Sequence, residues 1–220
     1  VLTLIFFVII NSIPFLIFGV NYIDLISSWF KDVIIGSSLT KSAGISNQSL
    51  QAAFMRLFSY THTESMYIGY ANITNLSENT LRILIYITSF LILVWLVYIF
   101  NKPSFSISSA KLHQLAELGL VFTAIPFISS IAQKAHFVYL ILPNAVCVYY
   151  LIFARATNHQ SKYIFILFFL SFILTTLTCD GFVGRYLSDI FESYSFITIG
   201  IFLLFLANSK IIMVYLTKTL

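Results

Sequence analysis

Six stretches of this chain, residues 1–20, 81–100, 111–130, 136–154, 163–178 and 196–216, are apolar over most of their length. A helix needs about 20 such residues to cross the roughly 30 Å hydrocarbon core of a bilayer. A chain carrying six of them has too little polar surface to cover them in water. The composition agrees: 59% of residues are hydrophobic and 9% charged, against roughly a quarter charged in a soluble domain. The mean hydropathy is +0.94. The expected fold is all-α, a polytopic membrane helical bundle of about six transmembrane helices. It forms a single integral-membrane domain over residues 1–220, with a long interfacial outer loop at 21–80.

The runs differ in quality. Residues 81–100 are the clearest span, with Arg82 at the outer edge and Asn101, Lys102 and Pro103 ending it. Residues 111–130 are interrupted by His113, Gln114, Glu117 and Thr123, and Pro126 is expected to kink them. The first run lacks the basic start and small-residue cleavage site of a signal peptide. Because it begins at Val1 with no preceding Met, the chain reads as a fragment or a processed protein.

The loop at 21–80 mixes Asp24, Lys31, Asp32, Lys41, Arg56, His62, Glu64 and Glu78 with Tyr22, Trp29, Phe30, Tyr60, Tyr67 and Tyr70. A loop so long and aromatic predicts short interfacial helices. Residues 179–195 form a polar connection with Asp180, Arg185, Asp189 and Glu192. Alternating six spans puts Lys102, Lys111, Arg155, Lys162, Lys210 and Lys218 on one side without a carboxylate, which the positive-inside rule assigns to the cytoplasm. The loop at 21–80, the turn at 129–135 and the connection at 179–195 then share the outer face. The net charge of +4 needs no nucleic-acid partner, and no Lys/Arg run suits one. Cys147 and Cys179 offer no disulfide framework and no metal site.

Between the first two runs lies GISNQSLQAAFMRL, residues 44–57. Ser46 or Asn47 is placed to cap a helix by accepting bonds from its first-turn amides. Leu50, Phe54, Leu57 and Phe58 then share an apolar face. Ser49, Ala52, Ala53 and Arg56 form a small second face with room for a ligand. Free N–H groups with an Arg two turns on suit a phosphate or pyrophosphate. The same residues also fit an interfacial capped helix whose Arg reaches headgroups. Both readings stand on the residues alone.

Other candidates are Lys134 and His136, at the outer membrane boundary, where an ammonium and an imidazole can meet a phosphate or lipid headgroups. Glu117, inside a membrane run, is either functional or paired with His113 one turn away. Asp180, Arg185 and Asp189 form either an outer cluster or a solvated loop with a structural ion pair. His62 and Glu64 lack a third ligand, and no metal spacing, phosphate-cradling Gly-rich loop or nucleophile elbow is present.

Asn47, Gln48, Ser49 and Leu50, followed by Arg56 and Leu57, resemble the N-Q-S-L-x-x-x-x-x-R-L signature of glycosyltransferase family 87, the polyprenol-phosphate-mannose-dependent mannosyltransferases of the C-type membrane superfamily. Residues 129–143, SSIAQKAHFVYLILP, are similar to that family's S-P-x-x-x-x-H-H-x-x-x-L-L-P stretch, and residues 184–190, GRYLSDI, to its closing segment. Order and spacing agree across about residues 46–206. Ser130 stands where the family has Pro and Ala135 where it has the first His, so only His136 carries that role over.

The resemblance implies a partial C-type glycosyltransferase fold in the plasma (inner) membrane. It implies transfer of a hexose, mannose in that family, from a polyprenyl-phosphate donor to a lipid or glycan acceptor of the cell envelope on the extracytoplasmic face, with no cofactor. Asn47, Gln48, Ser49, Arg56, Lys134 and His136 would bind the donor substrate. The acidic catalytic base lies in an outer loop expected upstream of Val1, and neither Asp24 nor Asp32 matches it. The rival classes are a transporter or flippase of lipid-linked substrates, for which internal repeats are wanting, and a non-catalytic membrane subunit.

Overall fold

The computed structural model describes residues 2–29, 43–101, 110–153 and 158–217, omitting the side chains at 135 and 136 among others. Lys31, Asp32, Lys41, Lys102, Arg155 and Lys218 lie outside the described residues, as does the side chain of Lys111. The order is α1 (Leu2–Phe18), α2 (Asn21–Trp29), α3 (Leu50–Phe58), α4 (Glu78–Phe100) and α5 (Ala110–Ile128). A 3₁₀ stretch (Lys134–Leu140) then leads into α6 (Ile141–Phe153). Next come α7 (Asn158–Phe172) with a π-helical end (Ile173–Leu177), α8 (Asp180–Ser193) and α9 (Phe196–Thr217). Among the described residues the fold is all-α, with one isolated antiparallel bridge between Asn47 and Gln133.

All six segments expected to span are helical over most of their described length. By length and composition, α4 and α9 can cross a membrane, and a bent pair, Ser161–Leu177 with Asp180–Ser193 at 89°, adds a third if it counts as one span. Helices α1, α5 and α6 are apolar but shorter. The outward face of α4 carries Ile83, Ile87, Phe90, Leu91, Val94 and Val97, all exposed. A continuous apolar surface of this kind calls for an apolar surrounding.

The chain divides into two compact units, 1–38 and 39–220. In the first, Gly19 adopts φ +55° and donates its amide to the Phe15 carbonyl at 2.8 Å, ending α1 before α2 begins. That left-handed conformation is cheap only without a Cβ.

In the second unit, α9 packs against α4, α5, α6, α7 and α8. It is apolar over most of its circumference, as suits a central helix, with Ile197, Ile201, Leu204, Phe205, Ile211 and Ile212 buried beside the polar Thr198, Asn208 and Ser209. Small residues let its neighbours approach closely. A Cβ on Gly119 of α5 would lie 3.2 Å from Pro143 Cα at the start of α6. Pro143 is tolerated there because first-turn amides have no helical partner.

The π-helical end of α7 forms where the Thr175 and Thr178 hydroxyls donate to the carbonyls of Ser171 and Leu174, at 2.9 and 2.7 Å. Such bonds loosen the regular ladder, and the chain turns there into α8. Residues 179–195, expected as a polar connection, are mostly helix. Asp180 in the first turn suits the positive end of a helix, and Ser188, Asp189, Glu192 and Ser193 are buried.

Gly200 of α9 sits against the π-helical stretch, where a Cβ would come 2.7 Å from Thr175 Cγ2 and 2.9 Å from Leu174 Cβ. Gly200→Ala is expected to destabilise the protein by about 1–3 kcal/mol. Gly181→Ala, with open space around it, changes stability by less than about 0.5 kcal/mol. Thermal unfolding of the two variants in detergent micelles checks the contrast.

Candidate functional site

Helix α3 is capped by Ser49, whose Oγ accepts from the Ala52 amide at 3.1 Å. The cap therefore falls at Ser49 and not at Ser46 or Asn47. The reason is tertiary, because the Asn47 side chain bonds across to the turn at 129–133. Its Nδ2 donates to the Ser130 carbonyl at 3.0 Å, and its Oδ1 accepts from the amides of Ala132 at 2.9 Å and Ser49 at 3.1 Å. Ser49 Oγ donates to the same Ser130 carbonyl at 3.0 Å, and the Gln48 amide donates to the Ala132 carbonyl at 2.8 Å. Two segments some 80 residues apart in sequence are thus joined at the end of the bundle.

The small face of α3 is largely enclosed, and the open space it meets is an apolar groove bordered by Ala53. Ala52, Ala53 and Arg56 are buried, and Arg56 is 0% exposed. The Arg56 guanidinium donates from Nη1 to the carbonyls of Asn47 at 2.6 Å, Gly44 at 2.9 Å and Ala43 at 3.3 Å. Its Nη2 donates to Ser195 Oγ at 2.9 Å and Gln48 Oε1 at 3.4 Å, and its Nε to Ser195 Oγ at 3.3 Å.

Burial lowers the Arg56 pKa to about 10 and the Glu192 carboxylate partly offsets this, so the guanidinium stays charged at neutral pH. Gln48 is equally enclosed. Its Nε2 donates to the carbonyls of Ile45 at 2.7 Å and Glu192 at 3.2 Å, and its own carbonyl accepts from Thr198 Oγ1 at 2.9 Å.

Charges alternate outward from Arg56. The buried Glu192 carboxylate accepts from Ser188 Oγ at 2.7 Å and pairs with Lys134 Nζ, which is also 3.8 Å from Asp180 Oδ1. The Ser188 hydroxyl, and after it Lys134 and Arg185, hold the Asp180 carboxyl below the usual carboxylate range.

Ile45, Ser46, Gln133, Lys134, Asp180, Arg185, Asp189 and Glu192 line a polar cleft of about 380 Å³. A second, apolar groove of about 290 Å³ runs beside α3, bounded by Leu50, Phe54, Phe58, Ile92, Phe127 and Phe202, with Ser195 and Thr198 at its edge. The cleft offers both cations and carboxylates, the groups that hold a phosphate and sugar hydroxyls respectively.

Of the residues expected to contact substrate, Asn47, Gln48, Ser49 and Arg56 meet in one buried hydrogen-bond network, and Lys134 lines the cleft. His136 is in the 3₁₀ stretch, and its side chain lies outside the described residues. Asp180, Arg185 and Asp189 do cluster, around that same cleft. Glu117 pairs with His113, Oε1 to Nδ1 at 3.5 Å, within α5. Among the described residues no three His, Cys, Asp or Glu side chains converge on a metal position.

Sequence reasoning passed over Glu192, Ser195 and Thr198. Glu192 carried a faint signal, lying one turn after Ser188 on an amphipathic helix. The two hydroxyl residues carried none. No protein-family model, curated protein or solved structure matches the chain.

Ser195 joins α8 to α9 at φ +61°, a conformation that costs a non-glycine residue of order 1 kcal/mol or more. Its hydroxyl is what the guanidinium holds. Ser195→Ala keeps the strain and loses the charge-assisted bonds, so it is expected to destabilise by about 1.5–3 kcal/mol. Ser195→Gly relieves the strain and is expected to cost less than Ser195→Ala. Arg56→Met, which takes the guanidinium from the carbonyls and the Ser195 hydroxyl it bonds and its charge from beside Glu192, costs about 3–5 kcal/mol. Unfolding midpoints of the three variants in micelles rank these effects.

Proposed function

We propose that this chain belongs to an integral, multi-pass membrane glycosyltransferase of the plasma (inner) membrane. In this reading its six apolar helical segments cross the bilayer and the polar cleft opens on the extracytoplasmic face. The enzyme moves a hexose, mannose by the resemblance to family 87, from a polyprenyl phosphate to a lipid or glycan acceptor. The observation that carries this reading is the junction of the segment 47–49 with the turn at 130–132, which sets Lys134 on the wall of a cleft shared with Asp180 and Arg185. The resemblance singles out both segments, and a donor site requires them to be neighbours.

The physical logic is electrostatic. As the glycosidic bond to the phosphate breaks, the leaving phosphate gains negative charge, and fixed cations stabilise it without reorganising. In this reading Lys134 and His136 meet the phosphate, and Arg185 approaches from α8. Asp180 and Asp189 accept from sugar hydroxyls.

Arg56, Asn47, Gln48 and Ser49 act one layer back. Their polar atoms bond within the protein, so they shape the cleft wall and hold Glu192 against Lys134. The neighbouring apolar groove is of the right chemistry for a hydrocarbon chain.

Transfer from radiolabelled polyprenyl-phosphate mannose, measured in membranes holding the full-length protein, tests the reading. Lys134→Ala and His136→Ala are each expected to lower the rate by about 100-fold or more. Unchanged transfer in both variants would sink the site assignment.

A further inference from the structure

Beside the polar cleft, the segment at 59–77 exposes aromatic rings. Tyr67 and Tyr186 meet edge to face, with centroids 5.3 Å apart, while remaining 48% and 58% exposed. Tyr186 follows the cleft residue Arg185. Tyr67 is two residues from Ser65, whose Oγ donates to the cleft residue Asp189 at 2.8 Å. On the same segment Tyr60 stacks on Tyr70 at 4.1 Å, and His62 meets the Tyr70 ring at 5.6 Å.

The segment is held in shape before any ligand arrives. Ser65 Oγ accepts from the amides of Tyr67 at 3.1 Å and Ile68 at 3.3 Å. The Thr63 amide donates to the Gly69 carbonyl at 2.9 Å, and the Thr63 hydroxyl donates to the Ile68 carbonyl. Glu64 between them adopts φ +61°, and its amide donates to His62 Nδ1 at 3.0 Å. The Ile45 amide donates to the Thr63 carbonyl at 2.9 Å, fastening this turn to the segment that walls the cleft. Rigid tyrosines give large contact area at low entropic cost.

We infer that Tyr67 and Tyr186, with Tyr60 and Tyr70 further along the segment, form a saccharide-binding platform that seats the glycan of the acceptor beside the polar cleft. A pyranose ring presents weakly positive C–H groups that suit the negative face of an aromatic ring, while its hydroxyls suit carboxylates and amides. The cleft edge supplies both kinds of partner.

Rings at a membrane surface can instead sit among headgroups, but anionic headgroups favour Lys and Arg. Residues 57–81 contain neither and carry Glu64 and Glu78. That the bound glycan is the acceptor rests on the glycosyltransferase reading; saccharide binding itself does not.

Saturation-transfer NMR on the full chain in detergent micelles, with mannotriose, maltotriose and cellotriose as probes, tests the platform. Saturation is expected on the ring C–H protons of at least one trisaccharide. Tyr67→Leu and Tyr186→Leu are each expected to weaken its affinity about tenfold, or about 1.4 kcal/mol. Tyr186→Phe, which keeps the ring, and Tyr149→Leu, at an exposed tyrosine of α6, leave it unchanged.

No saturation with any probe, or equal affinity in Tyr186→Leu, overturns the inference. So does quenching of a Tyr60→Trp variant in nanodiscs by lipids brominated near the headgroup, since the rings would then belong to the bilayer. Trisaccharide binding without sugar transfer would sink the enzyme reading alone, and transfer without such binding the platform alone.

Discussion

A fully buried guanidinium is the constraint on which this end of the molecule depends. Arg56 carries its charge out of contact with solvent, and the surrounding chain is arranged to answer it. Three carbonyls, from Ala43, Gly44 and Asn47, turn inward toward one nitrogen, and the Ser195 hydroxyl and Gln48 amide oxygen take the others. Burying carbonyls in a closed space is costly unless they are hydrogen-bonded, and the guanidinium supplies donors to all three. The irregular stretch before α3 and the joint between α8 and α9 are held by the same five-donor fork.

From that centre the charges alternate outward through Glu192 to Lys134 and Asp180. A buried ion pair of this sort is weak evidence for stability, because desolvation offsets much of the attraction. Its effect is geometric. Lys134 opens the 3₁₀ stretch that leads into α6, and Glu192 lies near the end of α8, so their pairing ties the start of one to the end of the other at the wall of the cleft. The buried network thereby positions the residues of the cleft wall.

Much of the helix inventory was legible. Residues 81–100 and 196–216 are apolar enough for one physical rule to decide them, and α4 and α9 follow those bounds within a few residues. The pairing of His113 with Glu117 was one of two readings that helical spacing left open. Helix α8 escaped because its residues are polar and Gly184, at φ +78°, breaks its regularity. The helix cap was misplaced by three residues at most, because a short polar side chain can cap a helix or bond elsewhere, and spacing does not say which.

The sequence by itself determined that the chain is helical and too apolar for water, and it marked the segments 44–57, 129–143 and 184–190 as the unusual ones. Local periodicity and composition suffice for the helices, the apolarity and the capped segment at 44–57, since both act over a few residues; the other two segments stand out only through their resemblance to family motifs. Tertiary structure alone decided that these three segments meet, and that Arg56 faces inward to Ser195 and not outward to a ligand. It also decided that Glu192 stands between two cations. These depend on contacts across 139 residues between Arg56 and Ser195 and 144 between Gln48 and Glu192. Partners that distant leave no periodic trace in the chain, because which of many polar groups pair is set by the packing of the helices that carry them.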